Sequence, residues 1–454
     1  ATVTSHSEIV SGGLRRSVLP HGVSLLRSAG VGERDAFILV LDNDRTSVAC
    51  MLAAMELKCV CVLVSKGRIG LLPHVRQQTG LAKVITVDGD SATWDGSSDP
   101  VKWTTEDALR DGGVGMLTSG SVGEPKVVMC SWERMLLQGQ STHEQLFPNR
   151  PARIICGSSI SHAYSINAVF TLLTSPHDEG SELCFASDTP ALYELLSHKS
   201  DKFTLLYGTP ATYTRLLDLP AKPLYADVPY CAGIRLSREL FERTLTHNGL
   251  QVMQNYGSTE TGDIAAWQLL GKVFADESKH MAVEERTYVG SLWPGVRVQI
   301  EADGEVLVWT PWQSMGYVID SNLYLTYGAP HRTADRGVAV SDDQNSIQLW
   351  LEGRIRPPIS IKLGIARPQV FKPEDIEQLI RTSNYASDVL VLMQDQTARR
   401  TSMQIRVVLR SGSTITASEL SQWTADQLSL PVASVCIEIV NFLPCSPAGK
   451  LMYR

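Results

Sequence analysis

The sequence predicts an α/β protein in which a large, multi-layered amino-terminal domain with parallel-rich sheets precedes a small α+β carboxy-terminal domain. Two observations lead to this fold class. Short apolar runs alternate with helix-length amphipathic stretches early in the chain, and the chain ends in a helix–strand–strand–helix–strand series. A length of 454 residues accommodates both domains. We expect them to comprise residues 1–353 and 354–454.

The first part of the chain carries the predicted parallel strands and the helices that connect them. Ala36–Leu41 reads AFILVL, an unbroken apolar run that is typical of a buried strand. Strands that are spaced by helix-length segments favour a doubly wound parallel arrangement. The same reasoning predicts strands at Cys59–Val64, Ala82–Val87, Arg153–Cys156, Leu183–Ala186 and Phe203–Tyr207, and helices at Ser47–Leu57, Leu71–Thr79, Thr209–Leu217 and Arg238–His247.

After about residue 285 the sequence favours β segments separated by Gly, Asp and Asn turns, at Val296–Ile300, Glu305–Trp309 and Ile347–Leu351. From Lys372 onward we predict a helix at 372–382, strands at 388–393 and 402–409, a helix at 417–429 and a strand at 435–440.

The predicted domains meet near Gly353-Arg354-Ile355-Arg356, which two prolines follow. A glycine beside two prolines is typical of a stiffened connection between bodies that move, so we predict the domain boundary here.

Composition excludes several classes of protein. The chain has 41 Lys and Arg against 48 Asp and Glu, a formal charge of −7, which argues against nucleic acid as a partner. No apolar run approaches the roughly 20 residues that span a bilayer, and the amino terminus lacks the apolar stretch of a secretion signal. Nine cysteines without a CxxC pair or zinc-ligand spacing favour free thiols in a reducing cytoplasm.

The most specific local pattern is the segment LTSGSVGEPK at 117–126. Glycines let backbone N–H groups approach an anion, hydroxyls add donors, and the final lysine adds positive charge. The segment lacks the Gly-Lys pair of a P-loop, so that class of nucleotide site is excluded. The pattern still predicts a polyphosphate-binding loop made by Thr118, Ser119, Gly120, Ser121, Gly123 and Lys126.

This loop resembles the [ST]SG[ST]TGxPK segment of the adenylate-forming (acyl-AMP) superfamily, which includes acyl- and aryl-CoA ligases and stand-alone adenylation domains. Further segments are similar to that family in the same order along nearly the whole chain. They are QNYGSTETG at 254–262, Ala232-Gly233-Ile234 before Leu236-Ser237, Thr333-Ala334-Asp335, Gly353-Arg354, and LPCSPAGK at 443–450.

The resemblance implies roles for individual residues. Thr259 would contact the α-phosphate of ATP, and Glu260 would bind Mg²⁺. Asp335 would accept both ribose hydroxyls, and Lys450 would bridge the substrate carboxylate and the α-phosphate. The implied ATP site also includes the loop residues, Gly233, Ile234, Asn255, Tyr256 and Arg354.

The segment ISHAYSINAV at 160–169 is similar to the part of the family that lines the acyl pocket. His162 would be catalytic and, with Tyr164 and Ser165, would contact the acid. Between Arg153 and Phe170 there is no Asp to hold an α-ammonium group, which disfavours an α-amino acid. An aryl, short acyl or β-functionalised acid is preferred, and it would also contact Gly233, Tyr256, Gly257 and Ser258.

The implied activity is ATP-dependent formation of acyl-AMP, followed by transfer to a phosphopantetheine thiol as the carboxy-terminal lid rotates. Because the chain is compact and ends just after Lys450, we expect a stand-alone enzyme that serves a carrier protein; coenzyme A is nearly as good an acceptor. Val122, Ala334 and Arg356 depart from the family pattern, and Arg356 stands at the position that the resemblance implies is the hinge of the lid. A catalytically retired nucleotide-binding fold and an interaction module are the alternatives.

Overall fold

A computed structural model of the protein describes residues 7–11, 13–96, 101–118, 125–233, 235–267, 286–341, 346–356, 359–361, 369–392 and 402–443. Within these ranges the chain forms four β-sheets and eleven α-helices, which confirms the predicted α/β class. No helix in the described ranges is long and apolar enough to cross a membrane.

The strands are β1 (Ser7–Ser11), β2 (Ala36–Leu41), β3 (Val60–Ser65), β4 (Val84–Asp88), β5 (Ser91–Asp95), β6 (Gly113–Leu117), β7 (Val127–Ser131), β8 (Ala152–Cys156), β9 (Glu182–Ala186), β10 (Phe203–Gly208), β11 (Val228–Cys231), β12 (Met253–Ser258), β13 (Gly262–Ala266), β14 (Thr287–Leu292), β15 (Arg297–Ile300), β16 (Glu305–Trp309), β17 (Gly316–Ile319), β18 (Asn322–Leu325), β19 (His331–Ser341), β20 (Ile347–Arg354), β21 (Ile359–Ile361), β22 (Gln369–Phe371), β23 (Ala386–Val391), β24 (Met403–Leu409) and β25 (Val435–Ile439).

The helices are α1 (Leu14–Ser17), α2 (Leu19–Ser28), α3 (Arg45–Glu56), α4 (Leu72–Thr79), α5 (Trp132–Leu146), α6 (Ala163–Leu173), α7 (Thr189–Ser197), α8 (Pro210–Leu216), α9 (Arg238–Asn248), α10 (Pro373–Thr382) and α11 (Ala417–Leu428).

Two large sheets form the layers of the amino-terminal part. The eight-stranded sheet has the order β18-β17-β7-β6-β3-β2-β4-β5, and its central strands β6, β3, β2 and β4 are parallel. The twelve-stranded sheet has the order β1-β9-β8-β10-β11-β12-β13-β14-β20-β19-β16-β15, and it is parallel from β9 to β12. The predicted parallel strands are confirmed, with ends that differ by one or two residues.

The remaining strands of the twelve-stranded sheet are antiparallel, and they include a hairpin that the sequence analysis did not predict. In this hairpin β12 pairs with β13 across the predicted QNYGSTETG segment. The helix α5, which follows the polyphosphate-loop segment and β7, was not predicted either. Both elements contribute to the site described below.

The carboxy-terminal part has a hydrophobic core of its own. Apolar side chains of β21, α10, β23, β24, α11 and β25 form one cluster that contains no residue of the two large sheets. The observed order from Pro373 onward is helix, strand, strand, helix, strand, as predicted. Strand β20 ends at Arg354, which still pairs with Asp335 of β19. The boundary between residues 353 and 354 stays a prediction.

Packing of α2 on α3 generates a test of the amino-terminal core. A Cβ atom at Gly22 would lie 2.0 Å from the carbonyl oxygen of Ala49 in α3. Alanine stabilises a helix by about 1 kcal/mol relative to glycine. Here, however, its Cβ would clash with backbone atoms of α3, and no side-chain rotation can relieve that clash. We expect Gly22→Ala to lower the free energy of unfolding by about 1–3 kcal/mol, measured by thermal and urea unfolding. Gly70→Ala is the control, because nothing lies within 4 Å of its Cβ position. Equal unfolding midpoints for the two variants would contradict the close approach of α2 to α3.

Candidate active site

A cleft of about 660 Å³, open to solvent, lies at the carboxyl ends of the parallel strands β8, β10, β11 and β12. The carboxyl ends of parallel strands meet at one edge of a sheet, which is where ligands bind in open α/β folds. The lining combines segments that are far apart in the sequence. They contribute Leu117, Gln138, Ser158, His162, Ala163, Tyr164, Thr209, Ala232, Gly233, Gly257, Ser258, Thr259, Gly262 and Asp263.

Several predicted site residues line this cleft, and others do not. Ser165 lies beneath the lining, where it is fully buried and its hydroxyl pairs with that of Ser158. Tyr256 is not among the lining residues. The predicted residues that line the cleft are His162, Tyr164, Gly233, Gly257, Ser258 and Thr259. The predicted residues that lie outside the described ranges are Ser119, Gly120, Ser121, Gly123, Ile234 and Lys450.

Helix α6 positions one wall of the cleft. His162 is the residue before its first turn, and its backbone N–H donates to the carbonyl of Ser159 at 3.1 Å. The ring of Tyr164 packs on that of Tyr207, with 5.0 Å between ring centroids. Burial raises the pKa of the Tyr164 phenol, so this side chain is neutral at physiological pH. Tyr164 therefore lines the cleft as a neutral residue, with its hydroxyl oxygen buried.

The base of the predicted phosphate loop is closed by two hydrogen bonds. Thr118 N–H donates to the Lys126 carbonyl, and Lys126 N–H donates to Thr118 Oγ1, both at 2.9 Å. These bonds continue the antiparallel pairing of β6 with β7. The side chain of Thr118 is thus engaged in the base of the loop, and Lys126 is exposed beside it.

Tyr317 connects Lys126 with Glu260. The Lys126 ammonium lies over the Tyr317 ring at 5.4 Å from its centroid, and the Tyr317 hydroxyl donates to Glu260 Oε1 at 3.2 Å. Burial and then the Glu260 carboxylate raise the pKa of Tyr317, which keeps it a donor. The sequence analysis missed Tyr317, because it lies on a short strand far from any recognised motif.

The tip of the β12–β13 hairpin holds Thr259 and Glu260. Ser258 and Thr261 hydrogen-bond through their hydroxyls at 2.9 Å, and the Glu260 carbonyl accepts from Ser314 N–H at 2.7 Å. The Glu260 carboxylate is therefore presented by a well-supported turn. In the described ranges no group of three or more His, Cys, Asp or Glu residues could by itself hold a metal ion.

The predicted ribose site is assembled as a contact of three residues. Asp335 is buried, its Oδ2 accepts from the Tyr256 hydroxyl at 2.6 Å, and its Oδ1 accepts from Arg354 Nη1 at 3.0 Å. Burial and the neighbouring Asp335 carboxylate raise the pKa of Tyr256, so its hydroxyl stays protonated. The structure brings these three predicted residues together.

Ala334 occupies a strained backbone position beside Asp335. Its φ angle is 55°, in the left-handed region that glycine adopts without cost. Its N–H donates to Glu305 Oε1 at 3.0 Å, and its carbonyl accepts from Ile355 N–H at 2.6 Å. Those bonds hold alanine in a conformation that costs of the order of 1 kcal/mol. The glycine expected from the family resemblance would remove that strain.

Asp263 is a charged cleft residue that the sequence analysis did not find. It is buried, and its carboxylate accepts from Asn255 Nδ2 and Gln138 Nε2, both at 2.9 Å. Asn255, predicted to bind nucleotide, thus directs its amide nitrogen to Asp263. Burial raises the pKa of Asp263, and the hydrogen bonds from Gln138 and Asn255 oppose that rise. The sequence analysis looked for a carboxylate only in residues 153–170, whereas Asp263 lies on β13.

The predicted hinge residue Arg356 is buried in the carboxy-terminal part. Its Nη2 lies 2.9 Å from Glu377 Oε2, and its Nη1 donates to the Val391 carbonyl at 3.1 Å. Burial raises the pKa of Glu377, and the Arg356 charge opposes that rise. By contrast, Arg354 donates to the Thr333 carbonyl at 3.0 Å, on the side of the large sheet.

The buried ion pair of Arg356 with Glu377 generates a second test. Glu377→Ala leaves a guanidinium in a protein interior without its carboxylate, which costs about 3–5 kcal/mol. We expect faster hydrogen–deuterium exchange throughout β23–β25, with little change in β2 and β3. The control is Glu438→Ala, which removes the exposed partner of Arg406 and is expected to cost less than about 1 kcal/mol. Equal exchange in the two variants would refute the structural role of the pair.

Solved structures with similar folds include two bound to nucleotides. ATP-bound MatB from Rhodopseudomonas palustris is 16% identical, with a TM-score of 0.65 over 96% of this chain and 91% of the other. O-succinylbenzoate coenzyme A synthetase from Bacillus subtilis, in complex with AMP, is 17% identical, with a TM-score of 0.66 over 96% of this chain and 92% of the other. This chain therefore has the fold of adenylate-forming ligases.

Curated relatives are similar to this chain at low identity. A p-hydroxybenzoic acid–AMP ligase of Mycobacterium tuberculosis is 23% identical over 100% of this chain and 64% of its own length. A marinolic acid–CoA ligase of a Pseudoalteromonas species is 25% identical over 74% of this chain and 53% of its own length. The chain thus spans less than two thirds of either relative.

The family model described as AMP-binding enzyme matches residues 69–318. This match covers more than half of the 454 residues and includes the phosphate-loop segment, α6 and the β12–β13 hairpin. The chain therefore belongs to the AMP-binding enzyme family, in the adenylate-forming superfamily that its motifs resemble.

Proposed function

We propose that this chain activates a carboxylic acid with ATP to form acyl-AMP and pyrophosphate, and then transfers the acyl group to a phosphopantetheine thiol. The observation that carries this proposal is the convergence of separate predicted motifs on one cleft. Segments around Leu117, His162, Gly233 and Thr259 all line it. The relatives support the first step, because their names describe ligases that form AMP or CoA derivatives of acids.

In the first step a carboxylate oxygen of the acid attacks the α-phosphorus of ATP. The bond from that phosphorus to the bridging oxygen breaks, and pyrophosphate leaves. Two anions must approach each other, so fixed positive charge lowers the barrier. We assign that task to Lys450 at the reacting centre, and we assign the β- and γ-phosphates to Lys126 with the loop that Thr118 closes. Thr259, at the hairpin tip, would donate to the α-phosphate.

The residues present fit Mg²⁺ bound together with ATP. Mg²⁺ prefers oxygen ligands and is usually held by one or two carboxylates, substrate phosphates and waters. Glu260 supplies one carboxylate, and the Tyr317 hydroxyl orients it. The bound ion would offset phosphate charge. We therefore propose that Glu260 holds the ion and that the triphosphate supplies further ligands.

Asp335 would bind the ribose. A carboxylate has about four lone-pair positions, and Tyr256 and Arg354 use two of them in this structure. Two positions are left for the two ribose hydroxyls. The Tyr256 ring, half-buried beside them, would contact adenine, while the Gly233 backbone, with no side chain in the way, would lie near the same base.

In the second step the thiol sulfur attacks the acyl carbonyl, AMP leaves as the C–O bond breaks, and the thiol proton passes to solvent. We propose that the carboxy-terminal part, residues 354–454 by the predicted boundary, acts as the lid that rotates between the steps. Ile355 N–H is bonded to Ala334 on β19, and Arg356 is bonded to α10 and β23. We accordingly place the pivot between Ile355 and Arg356, which supports the predicted hinge.

The thiol belongs to a carrier protein in this proposal, and coenzyme A is the second candidate. Both present the same phosphopantetheine arm. The second candidate is favoured by the marinolic acid–CoA ligase relative, whose name specifies CoA. We further propose an aryl, short acyl or β-functionalised acid, with His162 beside its carboxylate, and a cytoplasmic location in which the buried thiols stay reduced.

The direct test is ATP–pyrophosphate exchange with a panel of aryl, short acyl, β-amino and α-amino acids. Exchange that depends on one class of acid would support adenylation. Measurable ATP binding without exchange for any acid would favour the retired-fold alternative instead. Thioester formation with holo-carrier protein, compared with CoA, then identifies the acceptor.

Lys450→Ala tests the assignment of the reacting centre. The Lys450 ammonium would act when the carboxylate approaches the α-phosphate. Its removal should therefore lower the rate of ATP–pyrophosphate exchange by at least about 100-fold. ATP affinity, measured by calorimetry, and the unfolding midpoint should stay close to the wild-type values. Lys199→Ala, at an exposed surface position, is the control for loss of a positive charge. Exchange near the wild-type rate in Lys450→Ala would rule out this role for Lys450.

Tyr317→Phe tests the connection of Lys126 with Glu260. The variant keeps the ring beneath the ammonium and removes the hydroxyl that donates to Glu260. A hydrogen bond to a charged group is lost, so we expect exchange to fall about tenfold and the Mg²⁺ requirement to rise. The matched control is Tyr324→Phe, since Tyr324 pairs with Tyr317 across the strands but is 54% exposed. Unchanged Mg²⁺ dependence in Tyr317→Phe would argue against the proposed positioning role.

A further inference from the structure

We propose that the acid bound in the cleft carries a hydrogen-bond donor, a hydroxyl or an ammonium group, that binds the buried carboxylate of Asp263. This inference rests on the proposed function and specifies its substrate class. It assigns a specificity-determining role to Asp263, with Tyr164 as the second polar group that the substrate contacts.

The strand pairing of the hairpin leaves Asp263 open to the cleft. Asp263 lies directly opposite Gly257 in the antiparallel pair of β12 and β13, and both residues line the cleft. Opposite residues of such a pair share one face of the sheet. Since Gly257 has no side chain, the residue directly opposite Asp263 does not cover the carboxylate, and Asn255 is the β12 residue whose side chain bonds to it.

Three carboxamides hold the carboxylate and leave part of it unused. Asp263 Oδ1 accepts from Asn255 at 2.9 Å, and Oδ2 accepts from Gln138 at 2.9 Å and from Asn167 at 3.3 Å. Two carboxylate oxygens offer about four lone-pair positions. One position on Oδ1 is therefore left for another donor.

The charge of Asp263 has no cationic counterpart in the described ranges. The groups that lower its pKa there are the neutral amides of Gln138 and Asn255, while burial raises it. Asp263 is only 6% exposed and Gln138 only 4%. Burying a carboxylate that accepts hydrogen bonds only from neutral groups costs folding free energy, unless a further partner binds it.

The surroundings contain other buried polar atoms that lack partners. The hydroxyl of Tyr164 and the amide oxygens of Asn167 and Asn255 are buried and have no hydrogen-bond partner among the described residues. Tyr164 and Asp263 both line the cleft, and they are linked through Tyr207, whose ring packs on Tyr164 and whose hydroxyl shares the Asn167 amide with Asp263. Buried polar groups are almost always paired in folded proteins. Their accumulation beside one cleft indicates a polar ligand group.

Two substrate groups satisfy this arrangement. A hydroxyl would accept from the Tyr164 O–H and donate to Asp263 Oδ1. An ammonium would donate to Asp263 Oδ1 and to the Tyr164 hydroxyl oxygen, and it would also neutralise the charge of Asp263. An acid with only an apolar group at this point would leave the unused position on Asp263 Oδ1 and the Tyr164 hydroxyl cut off from water, which a site built on hydrogen bonds rejects strongly.

The wild-type protein tests the inference with matched acids. Benzoate, 3- and 4-hydroxybenzoate, 4-methoxybenzoate and 4-(aminomethyl)benzoate form one series, and butanoate, 3-hydroxybutanoate and 3-aminobutanoate form the other. ATP–pyrophosphate exchange gives kcat/KM for each acid, and calorimetry gives its binding to the ATP-free protein. In at least one series we expect a donor-bearing acid to exceed its donor-free analogues by about 30-fold or more. Preference for the hydroxyl or the ammonium member identifies the donor.

Asp263→Asn then assigns the discrimination to this carboxylate. The variant preserves volume and removes the charge, and we expect the preference to fall to about threefold or less while ATP affinity is unchanged. Asp218→Asn, at an exposed position in the same part of the chain, is the matched control. If Asp263→Asn fails to fold, the wild-type series alone decides.

The outcomes separate this inference from the proposed function. Exchange with donor-bearing and donor-free acids at equal efficiency would overturn the inference while supporting adenylation. Selective binding of donor-bearing acids without any exchange would support the inference and overturn adenylation. Neither exchange nor selective binding would overturn both, and a preference that Asp263→Asn retains in full would overturn the role of Asp263.

Discussion

Parallel hydrogen bonding among β8, β10, β11 and β12 is the constraint on which the cleft depends. Each of these strands enters the sheet in the same direction, so the segments that follow them emerge at one edge. Residues that are separated by about a hundred positions in the chain, such as Ser158 and Ser258, therefore line the same space. Local sequence determines what each segment offers, and the shared strand direction brings the segments together.

Buried polar contacts then give the cleft its chemical character. Tyr317 stands between Lys126 and Glu260, and three carboxamides converge on Asp263. Low solvent exposure strengthens such contacts and makes any unpaired group costly. In the proposed function the first contact organises groups for the phosphates of ATP, and the second leaves a carboxylate position for the acid. Each cluster contains a residue of the β12–β13 hairpin, Glu260 in the first and Asp263 in the second, so one hairpin would serve both proposed substrates.

Neighbouring residues of the link to the carboxy-terminal part are bonded to different parts of the protein. Arg354 and Ile355 are bonded to β19, whereas Arg356 is bonded to α10 and β23. A rotation can be confined to the backbone between such attachments, because neither side has to break its own contacts. The departures at Ala334 and Arg356 thus lie in well-bonded positions, and they do not by themselves argue for a retired fold.

The sequence by itself determined the fold class, the parallel strands of the two large sheets named in the sequence analysis, and the family. Apolar runs such as Ala36–Leu41 and motifs such as QNYGSTETG are local patterns, and their periodicity and spacing are legible without a fold. The tertiary structure decided which side chains share the cleft: it excluded Ser165 and Tyr256 from the lining and added Gln138 and Asp263. No local pattern marks Tyr317 or Asp263 as site residues. Their surroundings come from strand pairing and helix packing between distant segments, and the energy of a buried polar group depends on those surroundings.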